Sequence, residues 1–279
     1  VRWHDDRVIV QSSPGPGAHL VLTMEQHTAT ARELAAHFGG TGRFDRVEPV
    51  ELIVTMVGEH DRGWVEVDAE APRDPTTDLP WSVYQTPMWI SIGTGPRSID
   101  HNERCHPYRG LLSSMHIVGL FTGRYGLDER PIIDQLDTES RALLEPMIAS
   151  EHRRQDQLRL ALAEDPSTAP WLGDDVLMRN YKALQFFDRL ALWLQVSHPT
   201  LRRPTVLPHV PTTGIEDVPV EIVPLDERLV RLDPFPFDTE PLELALEGRW
   251  LAPQPPDTDL ARALVTAPVA RQPVTLCAP

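Results

Sequence analysis

The chain has 279 residues, with 26 Lys and Arg against 41 Asp and Glu, a formal net charge of −15. That sign excludes the phosphate-neutralising surface of a DNA or RNA binder and suits an anionic membrane no better. A composition of 41% hydrophobic and 24% charged residues is that of a globular protein, and no apolar run approaches the ~20 residues of a membrane span.

The two cysteines, Cys105 and Cys277, form neither a CxxC nor a disulfide framework, and the stretch 1–6 lacks the apolar core of a signal peptide. A reducing, cytoplasmic setting is expected. Fifteen of the 28 prolines fall in 199–279, so two parts are expected: 1–198, a helical core with N-terminal strands, and 199–279, a Pro-rich β-containing segment packed on it.

In chain order, segments 7–11 (beginning at Arg7) and 19–22 read as strands around a Pro-Gly-Pro-Gly turn. A helix follows. Thr23 and Gln26 have capping-box spacing, His27, Ala31, Leu34 and Phe38 make one stripe, and Gly39-Gly40 ends it. A second helix starts at Pro49, with Val50, Ile53, Val54 and Val57 inward; that face continues to His60 and Asp61 before Gly63 stops it. From 66 to 106 little periodicity is visible, and Trp81, Tyr84 and Trp89 sit in what reads as a long loop. A third helix is predicted over 107–121 with small residues on it, a fourth over 138–163 with Pro146 as a kink or break, and a fifth from Asp174-Asp175 to about 196. The stripe of the fifth is Leu177, Tyr181, Leu184, Asp188 and Leu192. Beyond Pro199, segments 218–223, 228–232 and 242–246 read as strands that can join the N-terminal pair in one sheet.

Several apolar stripes carry the wrong kind of residue: His27 on the first helix, His60-Asp61 on the second, His116 on the third, Asp188 on the fifth. A buried carboxylate costs several kcal/mol unless compensated. Taken singly, each is most often a hydrogen-bonded core residue, and Asp188 could pair with Arg189, Arg32 or Arg179. Together they suggest a shared divalent metal, one or two per chain, bound through nitrogen and oxygen: iron, manganese, cobalt, nickel or zinc.

The order His27, then His60-Asp61, then distant Asp188 resembles the HD-domain superfamily of metal-dependent enzymes over roughly 24–196. This implies a mostly α, HD-like helical core, here with a small antiparallel β-sheet from the terminal segments, and those four residues as metal ligands. The stretches Glu59-His-Asp-Arg-Gly-Trp64, Tyr108 to His116, Phe187 to Leu190 and Asp233 to Phe237 resemble a bacterial family of unknown function with an HDxGW motif. That family's Ser-x-x-His segment adds His116 as a fifth ligand. Where the phosphohydrolase branch often has a glutamate shortly after its His-Asp pair, this chain has Trp64, and the nearest acids are Glu66 and Asp68.

The leading expectation is therefore a hydrolase acting on a phosphoester or other small anionic substrate. Asp68 or Glu66 would be the general base. Arg97, Arg104 and Arg109 would hold the anion, unless they form a solvated surface loop, and Trp64, Trp81 and Trp89 would add an aromatic wall, unless they pack in the core or a lid. The diiron oxygenase branch is the alternative, since His101, His106, His116 and His152 lie between the His-Asp pair and the last Asp, though its two added histidines are spaced more widely than His106 and His116. A non-catalytic metal- or ligand-binding protein, or a homodimer using Asp233 to Phe237, are further readings.

Overall fold

The computed structural model describes residues 8–83, 85–125 and 131–279. Arg7, Tyr84 and the stretch 1–6 named above lie outside the described residues.

Strands β1 (Ile9–Val10) and β2 (His19–Leu22) lead into helix α1 (Met24–His37). Thr23 and Gln26 form the reciprocal capping box, at 3.3 Å from the Gln26 N–H to the Thr23 hydroxyl and 2.9 Å from the Thr23 N–H to the Gln26 side chain. Next come α2 (Val50–Val57), a 3-10 turn (Arg62–Trp64), α3 (Val65–Glu70), α4 (Met88–Cys105), α5 (Pro107–Thr122), α6 (Thr138–Glu164) and α7 (Asp174–Val196). Strands β3 (Thr205–Pro211), β4 (Asp217–Pro224), β5 (Leu229–Asp233) and β6 (Leu242–Leu251), helix α8 (Leu260–Thr266) and strand β7 (Val269–Cys277) complete the described chain.

The seven strands form one sheet, in the order β1-β2-β6-β7-β5-β4-β3. β2 pairs antiparallel with β6, so the N-terminal strands do join those of the C-terminal segment. The expectation of a small antiparallel sheet on a mostly helical HD-like core is overturned. Half of the described residues are helical and 19% are in strands, in a mixed half-barrel in which β5 and β7 run parallel. Proline hides the extra strands. Pro208 sits at the register shift of edge strand β3, and Pro273 faces Ala245 within the β6–β7 ladder.

The helical reading needs two corrections. The "loop" 66–106 contains α3 and the 18-residue α4. Helix α4 buries Ser91, Thr94, Gly95, Ser98, Ile99 and Asn102, a helical stripe in which five of six residues are small or polar. Close approach explains it: a Cβ on Gly63 would meet the Thr94 carbonyl oxygen at 2.1 Å, and one on Gly95 would meet Ile117 at 3.0 Å. Second, α2 ends at Val57, so His60 and Asp61 belong to the turn after it. Helix α6 runs unbroken through Pro146.

α1 and α7 pack on each other and touch the sheet through β6 and β3 respectively. α5 packs on α7, and α4 and α6 pack on α5. Phe237, from the stretch Asp233 to Phe237, is buried beside Phe186, with ring centroids 6.2 Å apart, and anchors this segment to the helices. No described helix is long and apolar enough to cross a membrane.

Candidate metal centre

Four parts of the fold deliver the five ligand candidates. α1 brings His27, α5 brings His116, α7 brings Asp188, and the turn after α2 brings His60 and Asp61. They converge on His60. Ligand-capable atoms of His27, His60 and Asp188 lie within 4.8 Å of one another, as do those of His60, Asp61 and His116. The His60 ring stands edge-on to both other imidazoles, with centroids 5.5 Å from His27 and 5.1 Å from His116. His27, His60, His116 and Asp188 are buried, and the Asp61 side chain, 12% exposed, is the one that reaches solvent.

His60 Nδ1 donates to the Val57 carbonyl at 2.7 Å, which leaves Nε2 as the atom facing the cluster. Nε2 has no hydrogen-bond partner although the residue is fully buried. It lies 3.5 Å from Asp61 Oδ2 and 3.6 Å from Asp188 Oδ1, too far for hydrogen bonds but close enough for charge to act. Burial pulls the His60 imidazole down; Asp61 and Asp188 outweigh it and bring it up to about 9. Burial acts on Asp188 in the opposite sense to the histidines around it, which hold its carboxyl well below the usual range.

His27 lies between two acceptors, with Nε2 3.0 Å from Asp188 Oδ1 and Nδ1 2.8 Å from Gln195 Oε1. The Gln195 amide nitrogen donates to the Thr30 hydroxyl at 2.9 Å, which turns the amide oxygen toward His27. This fixes the ring as a ligating histidine is fixed, through its far nitrogen. Gln185 meets His116 the other way round, its amide nitrogen donating to His116 Nδ1 at 3.0 Å. Sequence reading missed both glutamines, yet a signal was there: Gln185 and Gln195 stand three residues before and seven after Asp188, on its buried face. Gln195→Ala should weaken metal binding by about 10–100-fold while leaving the helix intact, as isothermal titration would show; an unchanged affinity would remove Gln195 from the centre.

The two proposed bases separate. Glu66 is 79% exposed and 3.8 Å from Arg97. Asp68 is buried under the start of α1, where its Oδ2 accepts the Met24 N–H at 2.7 Å and its Oδ1 has no hydrogen-bond partner. Burial above all, then the charges of Asp61 and Glu25, raise it to about 7 against the Met24 hydrogen bond.

The three arginines are not gathered into one anion site. Arg97 is half-exposed and donates to the Gly63 carbonyl at 3.1 Å, and Arg104 is exposed on α4. Arg109 is buried, bonded to the Glu59 carboxylate and, at 2.9 Å, to Asn102 Oδ1. Trp64 lies fully inside the hydrophobic core, whereas Trp89 is 70% exposed. The cleft beside the centre, about 450 Å³, is lined by Asp61 together with Arg32, Arg62, Glu25, Glu33 and Glu59, and by none of the three arginines above. The other histidines of the interval stand apart from the cluster: His101 contacts Glu59, His106 caps α5, and His152 contacts Arg124.

A family model described as "Protein of unknown function (DUF3891)" matches residues 9–253. No curated protein and no solved structure gives a match.

Proposed function

For this chain, which belongs to that family of unknown function, we propose a metal-dependent hydrolase of a phosphoester or another small anionic substrate. The observation that carries the reading is the buried His60 Nε2, without a hydrogen-bond partner and facing two carboxylates among three imidazoles. Even with His60 protonated, two carboxylates face one imidazolium in a dry core, and that excess negative charge is costly unless a further cation offsets it. The donor set of nitrogen and oxygen without sulfur fits iron, manganese, cobalt, nickel or zinc. The order His, His-Asp, Asp is also that of HD-domain enzymes, a likeness of ligand order and not of fold.

A bound ion would make a water acidic enough to attack near neutral pH and would polarise the scissile group. The chain's own residues supply the rest. His27, His60, His116, Asp61 and Asp188 would hold the ion, oriented by Gln195, Gln185 and the Val57 carbonyl. Asp61 is the ligand that borders the cleft, so substrate enters from there, and Arg32 and Arg62 on its wall give an anion its counter-charge. Asp68, placed electrostatically beside Asp61 and titrating near 7, takes and returns a proton at Oδ1. Its placement favours it over Glu66.

The test begins with elemental analysis of protein purified without a metal-affinity tag, followed by a phosphoester screen. Roughly one ion per chain is expected, largely lost in His60→Ala and Asp61→Ala. Asp68→Asn should retain the metal and lose about 100-fold or more in kcat. Unchanged metal content in both ligand variants would overturn the site, and about two irons per chain would move the reading to oxygen chemistry.

A further inference from the structure

Glu59 and His60 are consecutive but turn to different neighbours. His60 faces the buried cluster, and Glu59 faces the last turn of α4. There His101 and Cys105 stand four residues apart, so they share one helix face. Ligand-capable atoms of Glu59, His101 and Cys105 all lie within 4.8 Å of one another.

The geometry points to a second metal site, with Glu59, His101 and Cys105 binding a thiophilic divalent cation such as zinc and leaving its fourth position open to solvent. Three observations besides the proximity carry it. The donors are one oxygen, one nitrogen and one sulfur from two elements, a set that suits zinc or cobalt and not magnesium or calcium. The Glu59 carboxylate is already held: His101 Nε2 at 3.1 Å and the Arg109 guanidinium both engage Oε2. Asn102 fixes the backbone there, donating to the Glu59 carbonyl at 3.0 Å, and accepts from Arg109. A ligating carboxylate oriented by an arginine and an amide is a usual outer arrangement of metal sites. Finally, Cys105 is the last residue of an 18-residue helix, where the unpaired carbonyl end favours a cation.

Cys105 is exposed and His101 and Glu59 are partly so, which makes the site accessible without opening the core. Binding forms the metal–sulfur bond as the thiol releases its proton to water; no electron is transferred. The site shares no ligand with the buried centre and stands whether or not that centre is catalytic.

Cobalt(II) titrated into the metal-free full chain, with a phosphine reductant present, separates the two sites. Thiolate ligation gives a near-ultraviolet thiolate-to-cobalt charge-transfer band, which the sulfur-free buried cluster cannot produce. The band should appear in the wild type and in Cys277→Ser, vanish in Cys105→Ser, and require at least about tenfold more cobalt in His101→Ala. Visible cobalt absorption that remains in Cys105→Ser reports the buried centre independently. Absence of the band in the wild type, its survival in Cys105→Ser, or its dependence on Cys277 would overturn the proposal. Far-ultraviolet circular dichroism checks that each variant is folded, and Cys105→Ser alone decides the matter if His101→Ala does not fold.

Discussion

Replacing Asp188 by Ala should lower the unfolding free energy of the metal-free protein by about 3–5 kcal/mol, the cost of removing one member of a buried charged pair. Asp188 Oδ1 serves two imidazoles, at 3.0 Å from His27 Nε2 and 3.6 Å from His60 Nε2. Without it, His27 loses its partner on that side and His60 keeps only Asp61, in a region closed to water. Urea denaturation with a chelator present measures the loss. A change below about 1 kcal/mol, the scale of an exposed ion pair, would mean that this carboxylate is not compensating buried charge. The same variant should fail to retain metal, and added metal should no longer raise its melting temperature, because no ligand-linked stabilisation remains.

The second expected result is that metal-free and metal-loaded protein respond oppositely to pH. His60 is raised from 6.5 to about 9, so the native state holds a proton that the unfolded chain has released. Its contribution, about 3 kcal/mol, is complete below pH 6.5 and lost as pH rises to about 9. Asp68, raised from 3.8 to about 7, adds a loss of the same sign over that lower interval. Asp188 works the other way. Its lowered value contributes above the ordinary carboxylate range and is lost only as acid protonates it. Metal-free protein should therefore be most stable in mildly acid solution and decline toward pH 9. Metal competes with the His60 proton, so its affinity and its stabilising effect should grow over the same range. Calorimetric melting temperatures at several pH values, with and without manganese or zinc, test this. A metal-free melting temperature that rises from pH 6.5 to 9 would refute it.

What the sequence revealed was governed by which residues carry the pattern. α1 was readable because Thr23, Gln26 and the stripe from His27 to Phe38 are ordinary capping and apolar signals. The ligand candidates were readable as polar interruptions of such stripes, and the structure brings all five together around His60. α4 was hidden because its buried face is mostly Ser, Thr, Gly and Asn, with Ile99 as its one fully buried aliphatic, and because Pro96 lies within it, so hydrophobic periodicity had little to register. His60 and Asp61 were assigned to the wrong element because Val57 and Gly58 give no strong stop, although a Cβ on Gly58 would press on Arg32 at 2.8 Å. Strands β3 and β7 escaped because Pro208, Pro211 and Pro273 read as breakers. The half-exposed Arg97, the exposed Arg104 and the buried Arg109 look alike in sequence, since only tertiary contacts distinguish a solvated cation from one tied to Glu59 and Asn102.

The pairing of β2 with β6, His19 opposite Leu251, has a consequence for how the protein is made. A ribosome adds roughly 5–20 residues each second. The N-terminal hairpin therefore waits on the order of ten to fifty seconds, with an unpaired edge, before its neighbour has been synthesised. During that interval α1 lacks β6, the strand on which it rests, whereas α7 meets β3 soon after its own synthesis. Nascent chains are thus exposed to strand-to-strand association until β6 emerges, and α1, which carries His27, gains its sheet support only then.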